Sequence, residues 1–91
     1  MSKLRENTSM INVGFSNVVF TDKVLAMVSP DSAPIKRLIN EAKENLRLID
    51  ATYGRKTKTV IILTSGHVML SALAVETLSS RVSWITIINF I

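Results

Sequence analysis

The chain has 91 residues, 47% of them hydrophobic but only 5% aromatic, with a net charge of +4, one histidine and no cysteine. That length bounds it to one domain, which buries about 60–65% of its unfolded surface; the missing cysteines exclude disulfides and thiolate metal sites, and a lone histidine excludes an all-protein zinc site. No apolar run reaches the roughly 20 residues that a bilayer span requires, and the surplus of Ile, Val, Leu and Ala points to self-association as the outlet for surface that so small a body cannot hide.

The polar start, MSKLRENTSM, lacks the apolar centre of a signal peptide. Residues 1–9 read as a disordered tail, the folded domain spans 10–82, and a cytoplasmic location follows. INVGFSNVVF is β-rich, with Gly14 and Ser16-Asn17 as turn or bulge signals. DKVLAMV, residues 22–28, reads as the next strand, with Thr21-Asp22 as its turn.

The period then changes. SPDSAPIKRLINEAKENL sets Ile35, Leu38, Ile39, Ala42 and Leu46 on one helical stripe. Ser29, Asp31 and Ser32 are candidate caps, Pro30 and Pro34 suit a helix start, and Asn45 is the residue expected to close the helix in a left-handed conformation. Beyond it, RLIDAT and TKTVIILT read as two strands joined across Tyr53-Gly54-Arg55-Lys56. TSGH is a second tight connection, HVMLSAL a further strand, and VETLSSRV a short helix with Leu78 and Val82 inward. The apolar segment SWITIINFI, within an 83–91 tail, reads as an added strand or an oligomer contact.

Charge is unevenly spread along these elements. Residues 1–50 carry seven cations and six acids, whereas residues 51–91 carry four cations and one acid. From Ala51 through Val75 there are three cations, Arg55, Lys56 and Lys58, and no acid. Such a field points to an anionic partner. Gly54 permits a sharp turn, and Thr52, Tyr53, Thr57 and Thr59 add hydroxyls that bond phosphate oxygens. Strand geometry at the end of this loop would set Lys56 and Lys58 on one face and Arg55 on the other. The plainer reading is that charged hairpin tips are common solubility features. Lys36 and Arg37 form a second signal, because cations in the first helical turns oppose the macrodipole unless a phosphate sits there. An Arg37–Glu41 pair at i,i+4 would offset the same penalty. Lys23 is a third candidate. His67 and Asp50, with Ser65 and Tyr53 in support, are the only acid–base suggestions in the β region. Without a nucleophile elbow or paired carboxylates they do not make an enzyme.

Two stretches, VSPDSAPIKR and LIDATYGRK, carry a resemblance. With the sequence around them, from Met10 to about Arg81, the chain resembles the bacterial extracellular-matrix regulator A (RemA) family. The resemblance implies a small α+β domain with one main helix and a short C-terminal helix, similar to LytTR-type DNA-binding domains and assembled as a ring-like homo-oligomer. It implies a bacterial cytoplasmic protein that binds double-stranded DNA along the basic outer side of the ring and activates transcription of biofilm matrix genes, with no cofactor, membrane or small-molecule substrate. The DNA-binding residues it implies are Arg55 and Lys56, after the ATYG turn, and Lys23; the charge reading adds Lys58 and Arg37. Lys56 and Lys23 stand where Arg is usual in the family, and Ser16 and Asn45 where Gly is. Lysine cannot form the bidentate fork that reads guanine, so the expected grip is on phosphates more than on bases. Two other functions stay open on the residues. One is an RNA-binding accessory module, against which the basic loop offers a single aromatic, Tyr53; the other is an oligomeric scaffold whose charge only maintains solubility.

Overall fold

A computed structural model describes residues 10–81, so the expectations for the two tails and for Val82 lie outside the described residues. The chain opens with a hairpin of β1 (Met10–Gly14) and β2 (Asn17–Phe20). Alternation drives it: Ile11, Val13 and Val19 point inward, while Met10, Asn12, Val18 and Phe20 face out. A 3-10 turn over Thr21–Lys23 follows, then β3 (Val24–Val28). The strand expected from residue 22 therefore starts two residues later. A bulge at Leu25 interrupts β3, because Val24 pairs with Leu63 while Ala26 pairs with Ile62. The extra residue leaves Leu25 exposed and returns Val24 and Met27 to the same core.

Helix α1 spans Ala33–Glu44. Ser32 caps it, its Oγ accepting the Ile35 N–H at 3.4 Å, and Pro34 occupies the first turn, where its missing N–H leaves no bond unmade. The stripe of Ile35, Leu38, Ile39 and Ala42 packs on Val28, Leu48, Val60, Val68 and Leu70. Leu46 does not join that stripe, contrary to the spacing, because the helix has already ended. The Arg47 N–H reaches Ala42 O at 2.7 Å and the Leu46 N–H reaches Lys43 O at 3.3 Å, which makes a Schellman closure. The left-handed residue is therefore Leu46, at φ 59, and not Asn45, at φ −95.

The remaining strands are β4 (Leu48–Asp50), β5 (Thr59–Leu63) and β6 (Val68–Ser71), and helix α2 covers 75–81. They build a four-stranded mixed sheet in the order β3-β5-β6-β4. Here the sequence reading is corrected: β4 and β5 are not a hairpin. The tight Ser65-Gly66 connection places β6 beside β5, and β4 then pairs in parallel with the far edge of β6. The segment 51–58 is thus a crossover over the end of β6. Parity along the strands splits the core into two layers. Val60, Val68 and Leu70 face α1, while Ile61 and Met69 face the β1–β2 hairpin and Leu78 of α2. Two buried hydroxyls fasten the second layer: Ser71 Oγ donates to Val13 O at 2.7 Å, and Thr59 Oγ1 donates to Leu73 O at 2.6 Å. Leu78 is buried as the sequence predicts.

Candidate nucleic-acid interface

One pole of this sandwich gathers the ends of β3, β4 and β6, the start of β5 and the start of α1. This follows from the pairings of Val28 with Val60 and of Asp50 and Val60 with Leu70. The crossover 51–58 runs over this pole, and its course is set residue by residue. Ala51 keeps the sheet edge with an N–H bond to Leu70 O at 2.9 Å. Asp50 then turns its carboxylate onto Thr52, accepting the hydroxyl at 2.6 Å and the backbone N–H at 2.9 Å. Those two bonds, the hydroxyl's first, hold the Asp50 carboxyl below its ordinary range, with slight burial opposing them. The carboxylate nearest the basic loop in sequence is in this way committed to shaping the loop's start.

A tight turn follows, closed by the Arg55 N–H on Thr52 O at 3.0 Å. Both its central residues are left-handed, Tyr53 at φ 57 and Gly54 at φ 82, which is the pattern of a type I′ turn. Among the described residues nothing lies within 4 Å of where a Gly54 Cβ would stand, so this glycine is needed for its conformation and not for space. The loop is pinned again at its end, where the Lys58 N–H bonds Ser71 O at 2.8 Å. Arg55, Lys56 and Lys58 all precede β5 and are all exposed. The shared face expected for Lys56 and Lys58, opposite Arg55, therefore does not apply, because strand geometry begins only at Thr59.

The structure brings in a residue that the sequence reading passed over. The β1–β2 hairpin turns through Phe15 and Ser16, at φ 53 and 66, a second turn of the I′ pattern. Its tip meets the crossover. The Phe15 ring stacks on Tyr53 with centroids 5.2 Å apart and planes 24° from parallel, and the Arg55 guanidinium lies 5.6 Å from the Phe15 centroid. Arg55 is held by a cation–π contact rather than left to wander. Beside this stack opens a cleft of about 320 Å³ lined by Phe15, Arg55, Lys56, Lys58, Ala72 and Leu73. The available signal was GFSN, a large apolar residue in the middle of a predicted turn where nothing local favours one. Among the described residues, two aromatics and not one thus stand at the basic loop.

The other two expected cations stand outside the crossover, Lys23 at the far pole and Arg37 at the near pole on another layer. Lys23 sits at the opposite pole, where its carbonyl accepts the Thr64 N–H at 2.8 Å; the length of β5, about 16 Å, separates it from Lys58. Arg37 is exposed near the start of α1, on the layer across the sheet from Phe15. The acid–base residues are not assembled either. Ser65 Oγ meets His67 Nδ1 at 2.8 Å and accepts the His67 N–H at 3.3 Å within one tight turn. Asp50 lies level with Leu70, toward the other end of β6.

Comparison with known proteins adds an independent line. A family model described as "RemA-like: Extracellular matrix regulatory protein A-like" matches residues 10–82. A Synechococcus protein named "Putative regulatory protein" is 57% identical over 75 residues, covering 82% of this chain and 84% of its own. Relatives of the same name from Dictyoglomus turgidum and Halothermothrix orenii are 55% and 57% identical over 73 and 77 residues, covering 80% and 85% of this chain and 86% and 92% of theirs.

Proposed function

The chain belongs to the RemA-like family, and on that premise we propose that it is a non-catalytic, cytoplasmic transcription regulator that grips duplex DNA by its phosphate backbone. The observation that carries this reading is the acid-free crossover. It displays Arg55, Lys56 and Lys58 on one pole, with Asp50 tied to Thr52 and Arg55 seated on Phe15. A loop tethered at both ends presents its cations at low entropic cost, which suits a surface that must engage a polyanion. The family description names extracellular-matrix regulation, and biofilm matrix genes are the targets this reading proposes.

One subunit offers few cations, so the affinity is built from several subunits on one duplex, as an effective-concentration effect. The outward face of the β1–β2 hairpin supports such an assembly, since Met10, Val18 and Phe20 are all exposed and lie side by side through the Met10–Phe20 pairing. In a LytTR-like ring, Lys23 and Arg37 extend the basic track beyond the pole that one subunit presents. The Phe15–Tyr53 pair favours a second reading, because stacked aromatics beside cations also suit single strands. Binding of duplex DNA against single-stranded DNA and RNA of equal length, over a salt series, tests the choice. The DNA-regulator reading requires duplex preference and a steep fall of log affinity with log salt. Equal or tighter single-strand binding would transfer the site to the second reading, and no binding at low salt would leave an oligomeric scaffold.

A further inference from the structure

Tyr53 combines features that a phosphate grip does not explain. Its backbone holds φ 57 at the first central position of a turn, where Asn, Asp or Gly would sit without strain. The residue is 83% exposed, so burial does not compensate. The ring partner it does have is Phe15, itself left-handed, which backs one face and leaves the other open to solvent. Strain held at an exposed aromatic, within two residues of a guanidinium, points to use on a ligand and not to folding.

We propose that Tyr53 is a base-contacting wedge: with Arg55, Lys56 and Lys58 on the phosphates, its ring enters the groove of the bound duplex and unstacks a pyrimidine–purine step. The inference rests on the duplex-binding reading above and adds the part of the DNA that is read. A wedge must be stiff and held in one pose, and the Phe15 stack behind one face of the Tyr53 ring supplies both. Gly54 leaves the tip bare, with nothing within 4 Å on the side where a Cβ would project, so the turn can approach a groove closely. Pyrimidine–purine steps unstack most readily, and inserted side chains convert that deformability into selectivity. Selectivity then arises without the bidentate guanine contact that a lysine at position 56 cannot make.

The test uses the full chain with duplexes carrying 2-aminopurine at a pyrimidine–purine step or within an A-tract, and compares Tyr53→Asn and Tyr53→Phe with wild type. Asparagine keeps the left-handed turn and removes the ring; phenylalanine keeps the ring. Wild type and Tyr53→Phe should raise the fluorescence severalfold at the flexible step only. Tyr53→Asn should lose that rise while its log affinity on random duplex falls with log salt as steeply as wild type. Equal fluorescence in wild type and Tyr53→Asn, or a wild type that binds duplex with no rise at either position, overturns the wedge and leaves the phosphate grip standing. Failure of wild type to bind any duplex overturns the grip, and the wedge with it.

Discussion

Among the described residues, the three left-handed ones with large side chains, Phe15, Leu46 and Tyr53, divide into two kinds. Phe15 and Tyr53 meet each other at the basic loop, whereas Leu46 is 90% exposed and closes a helix where glycine is the usual choice. Leu46→Gly should therefore stabilise the fold by about 1 kcal/mol, read as a rise of roughly 4–8 °C in Tm at fixed protein concentration. No change, or a loss, would mean that the left-handed conformation of Leu46 is not a strain that glycine relieves. Asp50 gives a residue-scale prediction in pH. Its folded-state pKa is lowered by Thr52, so its contribution is present above the ordinary carboxylate value and is lost as pH falls through the lower native value. Asp50→Asn should be less stable than wild type near neutrality, and the gap should close below about pH 4. A gap that persists in acid would assign the effect to shape instead of charge. Neither Phe15 nor Leu46 was legible in the sequence as a left-handed residue, because that conformation is imposed by turn closure and is opposed by the side chain's own preference.

At the scale of elements, the local signals served well and the non-local ones did not. The stripe from Ile35 to Ala42, the Ser32 cap and the Ser65-Gly66 hairpin are written within a few residues of one another, and each stands in the fold. The placement of β4 is decided by its pairing with β6, some 20 residues downstream, and RLIDATYGRKTKTVIIL contains nothing that distinguishes a hairpin from a crossover. The basic segment kept its composition through that error but changed its role, from a free tip to a strap fixed over a pole. What holds the pole together is Ser71, whose hydroxyl takes the Val13 carbonyl at a hairpin bulge and also accepts the Leu73 N–H at 3.1 Å. Ser71→Ala should cost about 1–3 kcal/mol by leaving buried groups unpaired. It should loosen Phe15 from Tyr53, visible as a change in tyrosine emission ahead of global unfolding in denaturant. Unfolding in one step, with no early change in emission, would show that the hairpin docks by its apolar face alone.

Across the described residues, the crossover cations stand apart from the outward apolar face of the hairpin, while Phe15 and Tyr53 are exposed beside Arg55. The cations of the crossover occupy one pole, Lys23 the other, and the exposed Met10, Val18 and Phe20 lie on the outward face of the hairpin. That hairpin face can meet a second copy while the basic pole stays open, which is the arrangement the proposed multi-subunit DNA grip needs. The cluster of cations was legible from charge distribution alone; the cleft, the backing of Arg55 by Phe15 and the distance of Lys23 from the loop were not, since each depends on which ends of the sheet coincide. The central claim is that the crossover cations neutralise phosphates and do not support the assembly. Duplex affinity over a salt series, with sedimentation on the same samples, tests it for wild type, Arg55→Ala and Lys58→Ala. Each variant should reduce the slope of log affinity against log salt by about one at unchanged oligomer size. An unchanged slope, or an assembly that dissociates, would contradict the account.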